Sequence, residues 1–207
     1  MSMLEQELKL LADNAEVLEA ILNSALIRRA GICTGTHGPE RFHAIYYDTS
    51  NLILEQKKYS LRAREEGERM VAAFKLPGSI VDGLSQRVEY EVELQGWLKT
   101  PDDLPESELK QQVLTILDPD AELVHRVEVD MQRTIRMLEA AGSHIELVAD
   151  RGIIKGSHGE YTLYELELEL KQGEVGPVLS LGQQIAEEFG LTPSRMTKHE
   201  IGLTLCN

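Results

Sequence analysis

The segment LEQELKL (residues 4–10) sets the reading of the whole chain. Glu5, Glu7 and Lys9 fall at every second position, with Leu4, Leu8 and Leu10 on the alternate parity. Successive side chains of a strand point to opposite faces, so the three charges share one face and the leucines the other. Taken alone, the pattern equally fits an ordinary half-buried strand with a wet face. Repetition gives it weight. Charged ladders return at Arg62 and Arg64, at Arg87, Glu89, Glu91 and Glu93, and at Glu165, Glu167, Glu169 and Lys171. Each alternates with apolar residues, and together they carry both signs.

Outward from this segment, the chain reads as strands joined by turns. The first strand covers residues 3–11. Asp13 with Glu16 resembles a capping box opening a helix that runs to Gly31, with Val17, Leu18, Ile21, Leu22, Ala25 and Leu26 at helical spacing. A strand over 41–49 leads through a turn at 48–51 into a short helical segment, 52–56. A hairpin joins 59–64 to 70–76 across Glu66-Gly67-Glu68. Residues 79–83 read as a loop, 84–94 as a strand and 106–117 as a helix. Long strands over 123–138 and 144–155 flank Ala140-Ala141-Gly142, and a strand over 161–171 follows a second turn at 156–159. A helix over 177–189 stops at Gly190, and a last short helix holds 195–199. No internal repeat, low-complexity segment or linker interrupts the series. The class expected is α+β: an eight-stranded antiparallel β-barrel with peripheral helices.

Composition narrows the function. The chain has 207 residues, 42% of them hydrophobic, enough for one large domain spanning residues 1–207. No apolar run approaches the ~20 residues of a membrane span, and the N-terminus does not read as a signal peptide. The two cysteines, Cys33 and Cys206, fit reduced thiols and a cytoplasmic setting better than a disulfide or a zinc site. The net charge of −14 argues against nucleic acid and anionic membranes as partners. It leaves a small polyanion open as ligand, provided the basic residues gather in one cleft.

Where the ladders face follows from the helices. If the amphipathic helices cover the apolar strand faces from outside, the charges point into the barrel. Burying so many charges is costly unless they pair or bind ions, a requirement met by a tunnel holding water, metal and a polyanion. If the helices pack elsewhere, the ladders face solvent. Periodicity leaves both arrangements open.

The residues resemble a known family. Glu5, Glu7 and Lys9 look like the ExExK signature of the CYTH superfamily, the triphosphate tunnel metalloenzymes. In sequence order, Tyr46-Tyr47-Asp48-Thr49, Leu61-Arg62-Ala63-Arg64, Lys75, Arg87-Val88-Glu89-Tyr90-Glu91, Arg133, Glu146 to Asp150, Glu165-Leu166-Glu167 and Lys198 resemble its further motifs. Within the superfamily the likeness is greatest to the CYTH domain of bacterial inorganic triphosphatases, many of which carry a helical domain after it.

The resemblance implies an eight-stranded tunnel with a charged interior that hydrolyses inorganic triphosphate to pyrophosphate and phosphate. It implies Lys9, Arg62, Arg64, Lys75, Arg87, Arg133 and Lys198 as phosphate-binding groups. Arginine forks suit a bidentate grip, and lysines act as movable point charges. Glu5, Glu7, Asp150, Glu165 and Glu167 are the implied ligands of Mg²⁺ or Mn²⁺, as two ions. Glu89 and Asp150 are implied to position the attacking water, and Lys9 to stabilise the leaving pyrophosphate. Other readings stay open: a class IV-type adenylate cyclase, a thiamine or nucleoside triphosphatase, a non-catalytic polyphosphate-binding module, and a homodimer as the assembly. Glu93, Glu169 and Lys171 are expected at the tunnel mouth, and Tyr47 in packing.

Overall fold

The computed structural model describes residues 2–30 and 32–206, with the side chains of 4–30 and 38–206. Its strands are β1 (Ser2–Leu11), β2 (Ile32–Asp48), β3 (Ser60–Glu66), β4 (Arg69–Lys75), β5 (Ser79–Val81), β6 (Leu84–Glu93), β7 (Val124–Ala140), β8 (Ser143–Gly156), β9 (Gly159–Gln172) and β10 (Thr192–Pro193). They pair in the order β10-β1-β9-β8-β7-β2-β3-β4-β6-β5, and β1 also pairs with β6. That last ladder closes eight antiparallel strands into a barrel and leaves the short β5 and β10 as appendages. β1 is the closing strand: Glu5 stands opposite Arg87 of β6, and Lys9 opposite Glu167 of β9.

Helices cover the apolar outer faces. Leu8, Leu10, Leu147, Leu166 and Leu168 pack against Leu18 and Ile21 of α1 (Ala15–Leu22), Ile27 of α2 (Ala25–Arg29) and Val178, Leu181 and Ile185 of α5 (Val175–Phe189). On the opposite wall, Ile45, Leu61, Ala63, Ala72 and Phe74 meet Leu54 of α3 (Ile53–Gln56) and Leu109 and Val113 of α4 (Glu108–Leu114). Each large side chain so buried contributes about 1.5–3 kcal/mol. With the outer face spoken for, strand alternation sends the charged ladders inward. Glu5, Glu7, Lys9, Glu165 and Glu167 are all buried.

Some local expectations are corrected. The first helical stretch is broken: Asn14, not Asp13, caps α1 by accepting from Val17 N–H, and Ser24 opens α2 by accepting from Ile27 N–H. Two side chains able to bond the backbone at helix starts explain the break, despite continuous apolar spacing. Residues 79–81, read as loop, add β5 to the edge of β6. α5 ends at Gly190 in a left-handed conformation, as expected.

The larger difference lies at the C-terminus. The last helix, α6, spans Lys198–Thr204 rather than 195–199, opened by a capping box of Thr197 and Glu200. It is not peripheral. Ile201, Leu203 and Leu205 pack on Leu11, Ala44, Val127, Val129, Ile154 and Leu163, which share strand parity with the charged ladders. α6 therefore fills one side of a barrel end from within. Gly202 permits the approach: a Cβ there would lie 2.1 Å from Val127 Cγ1.

Candidate active site

Five strands and α6 bring the ladders together around β1. Lys75 Nζ lies 2.7 Å from Glu5 Oε1 and 3.2 Å from Glu89 Oε1. Arg87 reaches Glu5 through Nε at 3.0 Å and Glu7 through Nη2 at 3.4 Å. Lys9 sits between Glu7, at 3.0 Å, and Glu167, to which it donates a hydrogen bond. From α6, Lys198 reaches Glu165, Glu167 (2.9 Å) and Asp150 (3.0 Å). Arg133 of β7 grips Asp150 with a fork, Nε to Oδ1 at 2.8 Å and Nη2 to Oδ2 at 2.6 Å.

A cavity of about 170 Å³ opens inside this network. Of the expected site residues, Glu5, Glu7, Lys9, Arg62, Arg64, Lys75, Arg87, Glu89, Arg133, Glu167 and Lys198 line it. Asp150 and Glu165 do not. Both are fully buried behind the lining, held by Arg133 and Lys198. Glu169 and Lys171 pair at the rim, 2.8 Å apart, and Glu93 lies outside on the surface with Arg69. At the α6 end a second cavity of about 230 Å³ shares Lys75, Arg87 and Thr197 with the first. The Lys75–Glu5–Arg87 cluster thus lies where the two cavities meet.

The cationic wall is incompletely paired. Arg62 Nε and Arg64 Nε are buried and make no hydrogen bond, and neither do Glu89 Oε1 and Glu165 Oε1. Burial, with Arg62 and Arg133 nearby, brings the Arg64 guanidinium down to about 10, which marks a cation short of counter-charge. Burial pushes the Glu89 and Glu165 carboxyls up, although lysines lie against both. Burial also opposes ionisation of Glu5, but Lys75 and Arg87 outweigh it and hold its pKa low. Glu5 is thus held below the usual carboxylate range and Glu89 above it.

Comparison with known proteins agrees with this architecture. A CYTH domain model matches residues 3–198. The chain belongs to the CYTH domain family. An inorganic triphosphatase of Haemophilus influenzae is 29% identical over 160 residues, covering 77% of this chain. The chain spans only 44% of that relative's length. Among solved structures, a candidate adenylyl cyclase from Hippeastrum that reveals a dominant triphosphatase activity superposes with a TM-score of 0.71, at 20% identity over 98% of this chain and 97% of that one. A candidate adenylate cyclase of Bacillus halodurans gives 0.60, at 19% identity over 95% and 94%. These two likenesses concern the fold.

The CYTH chamber also holds residues that the ladders did not single out as site groups: Phe42 and Tyr46 of β2, Glu91 of β6, Glu146 of β8 and Thr197 before α6. Parity with Arg87 and Glu89 marks Glu91, and parity with Asp150 marks Glu146. Tyr46 is less legible, because the β2–β7 register shifts between Tyr46 and Tyr47. Its phenol lies beside Arg62 and stacks on His199, with centroids 4.8 Å apart. Tyr47 packs in the outer core as expected, and burial pushes its phenol up to about 12. The Cys206 thiol is free and buried, whereas Cys33 lies outside the residues whose side chains are described. No helix among the described residues is long and apolar enough to cross a membrane.

His199 gives the CYTH barrel an acid-sensitive joint. Burial, then Arg87 and Arg126, push its pKa down to about 4. Its neutral form therefore stabilises the fold fully above about pH 6.5, and this contribution is lost as pH falls towards 4, where only the unfolded chain is protonated. Over that window the wild type should lose up to ~3 kcal/mol relative to His199→Phe, which keeps the stack on Tyr46. Thermal melts at pH 7 and pH 5 check this; equal losses in both proteins would refute it.

Proposed function

We propose that this CYTH barrel hydrolyses inorganic triphosphate to pyrophosphate and phosphate in the chamber between β1 and α6. One observation carries the reading. Arg62 and Arg64 line a buried cavity with unsatisfied Nε donors, among cations supplied by β1, β4, β6, β7 and α6. Buried donors without partners are expensive, and a polyanion offering many acceptor oxygens removes that cost. Each arginine has a carboxylate within ion-pair reach, Glu66 at 3.0 Å from Arg64 and Glu89 at 4.0 Å from Arg62, but neither contact satisfies the Nε donor.

The carboxylates suit a hard divalent cation, Mg²⁺ or Mn²⁺. Among the described residues no three acidic groups now form a metal-binding cluster, because lysine ammonium groups lie between them. Glu7 and Glu167 converge on Lys9, and Glu5 lies nearby on the same strand face as Glu7, all three lining the cavity. The donor set therefore fits. When triphosphate enters, Lys9 and Lys75 would transfer to phosphate oxygens and free Glu5, Glu7 and Glu167 as ligands. A bound divalent ion supplies neutralisation of phosphate charge and activation of water. Arg62, Arg64 and Arg133 would hold the chain of phosphates in line. Lys198 would hold Asp150 and Glu165 behind the lining, and Glu89 would orient the attacking water.

The second cavity supports a second reading, in which the triphosphate carries an organic group. Tyr59, Leu76 and Ile80 line that cavity beside Lys75 and Arg87, where a nucleoside or thiamine moiety would have room. Phosphate release from inorganic triphosphate, ATP and thiamine triphosphate, with and without Mg²⁺, separates the readings. Mg²⁺-dependent release from inorganic triphosphate alone is expected. Cyclic AMP and pyrophosphate formed from ATP would favour cyclisation, and tight triphosphate binding without turnover would leave a binding module.

A further inference from the structure

Phe42 is an aromatic ring in a charged chamber. It is 6% exposed, points inward from β2 and lines the triphosphate cavity. β2 lies between β3 and β7, and each neighbour sends one arginine over this ring. The Arg64 guanidinium carbon lies 5.5 Å from the ring centroid, and that of Arg133 lies 4.9 Å away. Arg64 pairs in register with Ala44 and Arg133 with Glu40, one side-chain step to either side of Phe42. The ring thus contacts two like charges from two strands.

The two arginines differ in their other partners. Arg133 is committed to Asp150 and, at 3.3 Å, to Glu167. Arg64 lies 3.0 Å from Glu66 through Nε, yet that group makes no hydrogen bond. The Glu66 side chain is a third exposed, so water screens this pair. A carboxylate at position 42 would neutralise Arg64 and compete with phosphate for it. An aliphatic side chain would leave Arg64 beside Arg133 with no face to lie on. An aromatic face attracts a guanidinium through its quadrupole while adding no negative charge, and it leaves the in-plane N–H donors available.

We propose that Phe42 is a positioning residue that orders Arg64 without neutralising it, beside an Arg133 already fixed by Asp150, so that Arg64 receives phosphate oxygens of the substrate. This rests on the triphosphatase reading and adds to it what orders the Arg64 guanidinium among the chamber's cations. The effect belongs to binding. Phe42→Leu is expected to raise KM for inorganic triphosphate roughly 5–30-fold, the range of two partly desolvated cation–π contacts, with kcat changed less than about 3-fold. Phe42→Tyr keeps the ring and should stay within about 3-fold of wild type in both.

Steady-state hydrolysis gives the KM and kcat split, and calorimetric titration with inorganic triphosphate in EDTA reads binding without turnover. Circular dichroism and thermal melting establish that each variant is folded, and Phe42→Met replaces Phe42→Leu should the latter not fold. A ringless variant that binds triphosphate as wild type does, or a Phe42→Tyr variant as weak as the ringless one, overturns the role of Phe42 alone. Wild-type protein that neither binds nor hydrolyses triphosphate overturns the functional reading and this inference together.

Discussion

Lys198→Met is expected to lower stability by ~3–5 kcal/mol and the melting temperature by roughly 10 °C. The reason is the number of carboxylates served by one ammonium. Lys198 lies within 3.0 Å of Asp150, Glu165 and Glu167, and none of the four side chains is more than 8% exposed. Arg133 remains beside Asp150 and Glu167, and Lys9 beside Glu167, but Glu165 would lose the partner it hydrogen-bonds. Burial already pushes the Glu165 carboxyl up, so the variant should protonate it and suffer most at high pH. Melts at pH 8 and pH 5.5 should show the larger deficit at pH 8. Adding Glu165→Gln should restore part of the loss. A variant as stable as wild type at pH 8 would show that the cluster is not the joint that fixes α6 in the barrel.

Glu7→Ala should act the other way round, sparing the fold and stopping the chemistry. Glu7 contacts Lys9 and Arg87, and each of these keeps a second carboxylate, Glu167 and Glu5 respectively. No charge is orphaned, so the stability change should stay near ~1–2 kcal/mol. On the proposed reading Glu7 holds a charge-neutralising cation, and loss of one such transition-state stabiliser typically costs on the order of 10²–10³ in rate. Turnover of inorganic triphosphate should fall by at least that much and should not recover on raising Mg²⁺. Near-normal rates would remove Glu7 from the metal set. Unfolding would make Glu7 part of a structural ion network instead.

Much of this was legible because strand alternation is a local property. Glu5, Glu7 and Lys9 had to share a face, as did Arg87, Glu89 and Glu91, and apolar residues on the other parity required a cover. Bulges blur this reading. The register shift beside Tyr46 left its place in the chamber unread, and Asn14 and Ser24 broke a helix whose apolar spacing looked continuous. Phe42 was hidden for another reason: an aromatic residue in a strand suggests packing, and its two arginine neighbours lie 22 and 91 positions away in the chain.

The sequence by itself determined the antiparallel strands, the shared faces of the charged ladders and the likeness to the CYTH family. These depend on side-chain periodicity and on residues within a few positions of one another. Periodicity left the facing of the ladders open and the family likeness implied that they point inward; only the tertiary structure decided that Asp150 and Glu165 sit behind the lining and that α6 enters the barrel. Those outcomes turn on which of several apolar surfaces meet, and on which ammonium reaches which carboxylate across the closed sheet. Burial and Coulomb energies depend on distance in space, and closure between β1 and β6 sets those distances.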